Sequence, residues 1–369
     1  MLPWHLFVVQ DAITQMSTLL PDAGDEAFVA HCYHYFLSRD PDPAGKQHFL
    51  DAMARGLSRE GVLQAFAGSA EFAMLFNSRA AAGGMGRAQR FAPDGHFYSP
   101  IPPTRDYRER FAELALPMPD GVAMNGAGQL ALAEKFAAYY RELPFSREPS
   151  EARRYHLDNG AFNHFDGIVL YCMMREFRPR RIIEVGSGFS SAAMLDTSEL
   201  FLEGRTELTF IEPYPDTLHR CLRPGDEARC RVIAQDVQRV DTDVFRSLER
   251  NDILFIDSSH VAKFGSDVNH LLFKVLPLLQ DGVLIHVHDI FRNFDYPREW
   301  LEEGRAWNEA YLLKAFLAHN PDCRVLFFND WFAERHWDFL VQRMPLCTVQ
   351  PQGSPFKNSG VSLWLQWRA

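Results

Sequence analysis

The stretch Arg181-Ile-Ile-Glu-Val-Gly-Ser-Gly-Phe-Ser190 decides how this chain is expected to fold. An apolar run ends in an acidic residue and Gly-Ser-Gly, which predicts a buried parallel strand that turns tightly into a helix. Gly186 and Gly188 supply backbone freedom and leave no side chain where a ligand would lie against the main chain. Ser190 or Ser191 is expected to cap the helix. The pattern favours a ligand-binding turn, although an ordinary strand-to-helix turn has the same form.

Four further apolar runs follow, and each one ends in polar residues. The predicted strands are residues 207–211, 231–234, 252–256 and 282–287. The polar residues after them are Glu212, Asp236, Asp257 to His260, and His288-Asp289. Open α/β sheets bind ligands at the carboxyl ends of their strands, so we expect one site there. Glu212, roughly 20 residues after the glycine turn, is placed to accept hydrogen bonds from a ribose, and Asp236 from an adenine amino group.

Four motifs carry a resemblance to a known family. They are IEVGSGFSS (183–191), FIDSSH…GSDVN (255–269), LPLLQDGVLIHVHDIF (276–291) and WNEAYLLKAFL (307–317). With these motifs the chain from about residue 95 onwards resembles a bacterial group of class I S-adenosylmethionine-dependent methyltransferases. The resemblance implies an α/β fold with a Rossmann-like seven-stranded sheet, mostly parallel with the last strand antiparallel. It also implies S-adenosyl-L-methionine as the cofactor and methyl transfer as the reaction.

Cofactor binding is assigned to residues of the glycine turn and of the strand ends. The set is Glu184, Gly186, Ser187, Gly188, Glu212, Asp236 and Asp257. Glu184 could attract the cationic methionine end of the cofactor, or it could only orient the turn. A nicotinamide-binding domain is the alternative for the fold, but its fingerprint needs a third glycine where this chain has Ser191.

The acceptor side is expected beyond the fourth and fifth strands, where Asp257, His260, His288 and Asp289 are the candidate catalytic residues. In one mechanism Asp257 and Asp289, with or without His288, bind a divalent metal that acidifies an acceptor hydroxyl. The small metal-dependent O-methyltransferases usually have Asp-Asn where this chain has His-Asp, which disfavours Mg²⁺ and leaves Mn²⁺ or Zn²⁺ open. In the other mechanism His260 or His288 is a metal-free general base. Of the two mechanisms we expect the general base, with a metal ion optional for activity. His286 lies inside a predicted strand and is expected to be a core residue.

An aromatic and polar segment follows the fifth strand. Its residues are Trp300, Arg305, Trp307, Asn308, Glu309 and Tyr311. They could form a sugar-stacking wall for the acceptor, and the alternative is a surface helix with an aromatic packing face.

The N-terminal part of the chain predicts a separate small all-α domain. We place this accessory domain at residues 1–78, a flexible Gly-rich linker at 79–94 and the catalytic domain at 95–369. Asp42, followed by Pro43, and Ser58 are expected helix caps, and Gly68 is expected to begin a fourth helix. Residues 36–72 resemble a bacterial domain of unknown function that is distantly related to phycobilisome linkers. Residues 155–166 could fold over the cofactor as a lid, or their polar groups could be caps.

Composition limits the function further. The net charge of −10 argues against a nonspecific grip on nucleic acid. The six scattered cysteines indicate free thiols in a reducing cytoplasm, and neither a secretory signal nor a membrane span is expected. The sequence therefore predicts a cytoplasmic bacterial methyltransferase that methylates oxygen on a small-molecule, sugar or glycan-type acceptor. A non-catalytic cofactor-binding scaffold and a metal-dependent hydroxylase-like activity are the alternatives; the oligomeric state stays open.

Overall fold

The chain forms two compact units, Met1–Pro93 and Asp94–Ala369. The computed structural model describes residues 24–37, 39–69, 71, 95–96, 99–116, 121–350 and 360–368. The predicted linker at 79–94, the first 20 residues and nearly all of the fourth helix predicted from Gly68 lie outside the described residues. Within the described part of the chain, no helix combines the length and the apolar character that crossing a membrane requires.

The smaller unit is helical and has its own apolar core. Its helices are Asp25–Cys32, Pro43–Ala54 and Arg59–Ala67, and a π-helical turn, Tyr33–Leu37, continues the first of them. Asp42 accepts a hydrogen bond from the backbone N–H of Gly45 (2.8 Å), and Ser58 accepts one from Gly61 (3.1 Å). Both predicted caps are therefore present.

The larger unit is built on a seven-stranded sheet. The strands are β1 (Arg181–Val185), β2 (Glu207–Ile211), β3 (Cys230–Ile233), β4 (Ile253–Ile256), β5 (Leu284–Val287), β6 (Cys323–Phe328) and β7 (Leu363–Trp367). Their order is β3-β2-β1-β4-β5-β7-β6, and only β7 runs antiparallel to its neighbours. The predicted Rossmann-like fold is confirmed. The strand order reverses between β1 and β4, which opens a crevice at their carboxyl ends.

Helices cover both faces of the sheet. They are Thr104–Glu109, Phe111–Leu114, Gly126–Tyr140, His164–Phe177, Phe189–Phe201, Asp216–Cys221, Asp243–Arg246, Asp267–His270, Arg298–Glu302, Glu309–Ala318, Asn329–Arg335 and Trp337–Arg343. Successive residues of a strand point to opposite faces. Phe255 accordingly belongs to one apolar cluster while Leu254 and Ile256 belong to the other. Burial on both faces explains why the strands read as continuous apolar runs.

Two local expectations differ from the structure. The helix after β1 begins at Phe189 with Gly188 as its N-cap residue, so neither serine occupies the cap position; Ser191 takes part in capping from the first turn, where its hydroxyl accepts the Gly188 N–H at 3.0 Å. Residues 155–166 are packed into the core: Phe162 is buried with its ring 5.8 Å from Phe255, and its carbonyl accepts the Tyr155 hydroxyl at 2.6 Å. Gly160 and Ala161 are exposed, but the buried anchors at Tyr155 and Phe162 favour a fixed segment over a lid.

Candidate active site

The turn after β1 requires glycine at one position. Gly186 has a φ of +83°, and a Cβ added there would lie 1.8 Å from the carbonyl oxygen of Asp257. Gly188 has an extended φ of −176°, and a Cβ there would meet Thr217 Cγ2 at an ordinary 3.4 Å. Gly186 is therefore what lets the ends of β1 and β4 approach each other.

Glu184 connects the end of β1 to the first turn of the following helix. It is fully buried, and the hydroxyl groups of Ser190 and Ser191 donate to its two carboxylate oxygens. Burial raises the pKa of Glu184 to about 8, in spite of the hydrogen bonds from the two serines. Both oxygens face the first turn of the helix Phe189–Phe201, which supports the orienting role for Glu184.

A cleft of about 400 Å³ lies at the carboxyl ends of β1 to β4. Its lining includes Gly186, Glu212, Asp236 and Asp257. The Glu212 carboxylate accepts hydrogen bonds from the backbone N–H groups of Ser187 (3.2 Å) and Tyr214 (2.8 Å). Asp236 is exposed at the end of β3. These four predicted cofactor residues therefore share one cavity, whereas Glu184, Ser187 and Gly188 are not among the residues that line it.

Three polar side chains converge beside this cleft. One ligand atom from each of Asp257, His260 and Asp289 lies within 4.8 Å of the others. His260 Nε2 is 3.4 Å from Asp257 Oδ1 and 3.5 Å from Asp289 Oδ2. His260 and Asp289 both have left-handed backbone conformations, with φ of +58° and +57°, which are uncommon for non-glycine residues. We call these three residues the Asp-His-Asp cluster.

Glu309 fixes the orientation of His260. Its Oε2 lies 3.0 Å from His260 Nδ1, and the carboxylate is 1% exposed. The Ser258 hydroxyl donates to the same carboxylate at 3.1 Å. The backbone N–H groups of Asn308 and Glu309 donate to the His260 carbonyl at 3.0 and 3.2 Å. The start of the helix Glu309–Ala318 is thereby joined to the loop after β4.

The ionisable groups of the Asp-His-Asp cluster shift one another's pKa values, because they lie close together and are largely buried. Burial alone would lower the pKa of His260, but hydrogen bonds to Asp257 and Glu309 and the charge of Asp289 raise it to about 10. Burial alone would raise the pKa of Asp257, but His288 and His260 lower it. The carboxylates therefore stabilise a positive charge at this position.

The structure places His288 behind the cluster. Its Nε2 is 3.7 Å from Asp289 Oδ1, and its Nδ1 has no hydrogen-bond partner among the described residues. Burial alone would lower the pKa of His288, but Asp289 and two further carboxylates raise it. His286 bonds to the Ser362 hydroxyl at 2.8 Å and stacks on Phe255 at 3.7 Å. It is the predicted core histidine, and burial holds its pKa well below the usual value.

The aromatic segment after β5 packs its side chains on one another and on the cluster. The Arg305 guanidinium lies over the rings of Trp300 (4.3 Å) and Trp307 (4.8 Å). Trp307 also packs on His260, with ring centroids 4.2 Å apart. Glu309, for which an acceptor wall and a packing face were both open, bonds to His260. Its position directly after Trp307-Asn308 offered no local signal for that role.

Comparisons with known proteins agree with this architecture. A methyltransferase-domain family matches residues 183–290, and a domain of unknown function (DUF4214) matches residues 14–76. An uncharacterised protein of Archaeoglobus fulgidus is 34% identical over 168 residues, which are 44% of this chain and 75% of that protein. The chain belongs to the methyltransferase family. It is an enzyme that uses S-adenosylmethionine as its methyl donor.

Two solved structures illustrate the structural likeness. The chain is similar to the S-adenosylhomocysteine-bound methyltransferase PaMTH1 of Podospora anserina, with 18% identity over 65% of this chain and 88% of that one, at a TM-score of 0.34. It is also similar to the O-methyltransferase TomG of Streptomyces achromogenes in complex with SAM, with 14% identity over 70% of this chain and 94% of that one, at a TM-score of 0.32.

Proposed function

We propose that this enzyme methylates a hydroxyl oxygen of a small-molecule acceptor, and that the Asp-His-Asp cluster holds a divalent cation for this purpose. The convergence of Asp257, His260 and Asp289 carries the proposal, because it lies at the edge of the cofactor cleft. Asp257 belongs to both the cleft and the cluster. A hydroxyl group bound at the cluster would therefore lie next to the cofactor.

The donor set fits a transition metal ion. Since Nδ1 of His260 is engaged by Glu309, Nε2 faces the two aspartates. A carboxylate that orients a ligating histidine is the usual second shell of a metal site. Two carboxylates with one imidazole suit Mn²⁺ or Zn²⁺ better than Mg²⁺. A divalent cation bound there supplies the charge that lowers the pKa of an acceptor hydroxyl.

This proposal reverses the mechanism that the sequence favoured. Burial alone would lower the pKa of His260, but its hydrogen bonds to Asp257 and Glu309 raise it, which favours the protonated imidazole and disfavours its use as a base. A proton on His260 neutralises part of the charge of Asp257, Asp289 and Glu309. A bound divalent cation would neutralise the same carboxylates in its place. His288 is buried to the same degree as His260. Burial alone would lower the pKa of His288, but the charge of Asp289 raises it, which makes His288 a poor proton acceptor too.

The proposed cofactor contacts follow from the cleft. Each oxygen of Glu212 accepts one backbone N–H, and a carboxylate oxygen has a second lone pair that can accept a ribose hydroxyl. Asp236, exposed at the end of β3, is proposed for the adenine amino group. Gly186 lets the cofactor approach the main chain. Ser187 and Gly188 are proposed to contribute through their backbone.

Calorimetric titration of the chelator-treated, full-length protein with Mn²⁺ tests the cation site. We expect one Mn²⁺ per chain, and a loss of binding in Asp257→Asn and in His260→Gln. Asp236→Asn is the matched control, because it removes a carboxylate of the same cleft outside the cluster. Turnover is measured with methyl-labelled S-adenosylmethionine and fractionated bacterial extract, with the product detected by mass spectrometry. Full turnover in chelator, or Mn²⁺ binding that survives both variants, would exclude the cation.

A further inference from the structure

A second pocket, of about 280 Å³, lies beside the Asp-His-Asp cluster. One side is formed by the segment 99–116, which we call the arm, and the other by residues 295–311. Four aromatic side chains contribute to its lining: Tyr107, Phe111, Trp307 and Tyr311. Apart from Trp307 and Tyr311, none of them was among the residues that the sequence singled out.

The pocket and the cluster share a wall. The Trp307 ring that lines the pocket packs on His260 at 4.2 Å. Asn308, the next lining residue, donates its backbone N–H to the His260 carbonyl at 3.0 Å. A ligand in the pocket is therefore separated from the cluster by one aromatic ring.

The polar groups of the lining are already engaged. Asp295 accepts the Tyr311 hydroxyl at 2.7 Å and the Leu116 N–H at 3.1 Å. The Asn308 side chain accepts the Ala262 N–H at 2.6 Å. A sugar ring would need several polar partners of its own, since unpaired hydroxyl groups are costly to bury. The surface that remains for a ligand is formed by four aromatic side chains and by aliphatic ones such as Pro100, Leu114 and Leu301.

Two of the three charged groups of the lining have ionic partners. Asp106 lies 3.5 Å from Arg110, and Arg305 bonds to Glu303 at 2.7 Å while covering the Trp307 ring. The third, Asp295, accepts hydrogen bonds only from neutral donors among the described residues and keeps its negative charge. The lining therefore disfavours an anionic ligand and suits a neutral one.

We propose that this pocket binds a neutral aromatic ring of the methyl acceptor, and that the arm determines which ring fits. A cavity of about 150 Å³ accommodates benzene, so the present volume suits one ring or two fused rings. Stacking on the faces and edges of Tyr107, Phe111 and Tyr311 would hold the ring. The inference rests on the proposed function and deepens it, because the ring would anchor the same acceptor molecule whose hydroxyl group is methylated.

Binding of 2-naphthol to the full-length protein, followed by saturation-transfer NMR and calorimetry without added metal, tests the pocket. Tyr107→Leu and Phe111→Leu should each weaken binding by about three- to tenfold. The Tyr107 hydroxyl bonds to Thr104 on the arm at 3.3 Å, so its removal leaves the cluster's hydrogen bonds intact. Phe273→Leu is the matched control, since Phe273 is 64% exposed and lies outside this lining.

The outcomes separate the pocket from the proposed reaction. Loss of naphthol affinity in both arm variants, with the Phe273→Leu protein unchanged, supports the pocket even if no cation-dependent methylation is found. No binding to the parent protein, or equal binding in all variants, overturns it even if methylation depends on Mn²⁺. Methyl α-glucoside that displaces 2-naphthol, with the same sensitivity to both substitutions, also overturns the assignment to an aromatic ring.

Discussion

Glu309 Oε2 lies 3.0 Å from His260 Nδ1, so a buried carboxylate determines which imidazole nitrogen faces Asp257 and Asp289. The contact joins two elements that are 49 residues apart in the chain. It makes Glu309 a positioning residue for the proposed cation site.

The first prediction concerns Glu309 itself. Glu309→Ala should weaken Mn²⁺ binding by about 10- to 100-fold, because His260 loses the group that fixes its ring. Glu309→Gln should lose less, since an amide oxygen still accepts from Nδ1. Calorimetry on the full-length protein measures both. Glu303→Ala removes an exposed carboxylate of the preceding loop and should bind Mn²⁺ like the parent; equal binding in Glu309→Ala would remove Glu309 from the site.

A second prediction contrasts the two glycines of the turn. Gly186→Ala should sharply reduce affinity for S-adenosylhomocysteine, because the new methyl group would meet the Asp257 carbonyl at 1.8 Å. The left-handed conformation adds a strain of about 1–2 kcal/mol for alanine. Gly188→Ala meets only an ordinary contact at 3.4 Å and should bind nearly normally. Calorimetry and thermal melting of both variants check the contrast, and equal losses would show that close approach at Gly186 does not matter.

The sequence predicted a strand best where the residues of that strand alone form a continuous apolar run. Residues 207–211 form β2 with the predicted bounds, because burial on both faces produces an unbroken apolar run. Strand β6 escaped detection from its own residues. It begins Cys323-Arg324, and its pairing with β7, about 40 residues later, contains a register shift between Val325 and Phe327. Local periodicity does not report such long-range pairing.

The site residues also divide into those that a local rule predicted and those that depend on long-range packing. Asp257 and Asp289 were brought together by the rule that neighbouring parallel strands end at one edge. The rule does not distinguish His260 from His288, because side-chain direction depends on the left-handed backbone at His260. The role of Glu309 was missed because its contact with His260 depends on how a loop and a helix pack together. Local sequence patterns do not report that packing.

A third prediction follows from the buried Glu184. Burial raises its pKa from the ordinary 4.5 to about 8. Between these values the folded protein holds a proton that the unfolded chain has lost, so stability falls as pH rises through this range. The free energy of unfolding should therefore decrease from pH 5 to pH 8 more in the parent protein than in Glu184→Gln.

Urea denaturation at several pH values measures this difference. His260, with its raised pKa, acts in the same direction above pH 6.5, so the comparison must be made against the Glu184→Gln variant and not against a flat profile. Parallel pH profiles for the two proteins would show that Glu184 ionises normally.

The last prediction concerns the buried ion cluster on the side of the sheet that carries β3. Arg154, whose side chain is 6% exposed, lies 2.7 Å from Asp196 and 2.6 Å from Asp226, and each of these carboxylates is 2% exposed. Arg154→Met should destabilise the larger unit by about 3–5 kcal/mol, because it leaves two buried carboxylates without the positive charge that they pair with. Arg147→Met, at the exposed pair with Asp158, should cost only about 0–1 kcal/mol.

The pH dependence of the loss identifies its electrostatic origin. Burial alone would raise the pKa of Asp226, but Arg154 and the Arg223 N–H lower it, so its contribution is present above the ordinary value of 3.8 and is lost as pH falls through the lowered pKa. Without Arg154 the buried carboxylate can relieve its penalty by taking up a proton as the pH falls. The destabilisation of Arg154→Met, measured by urea denaturation, should therefore be smaller at pH 5 than at pH 7. A loss that is the same at both pH values would point to packing of the arginine stem instead of charge.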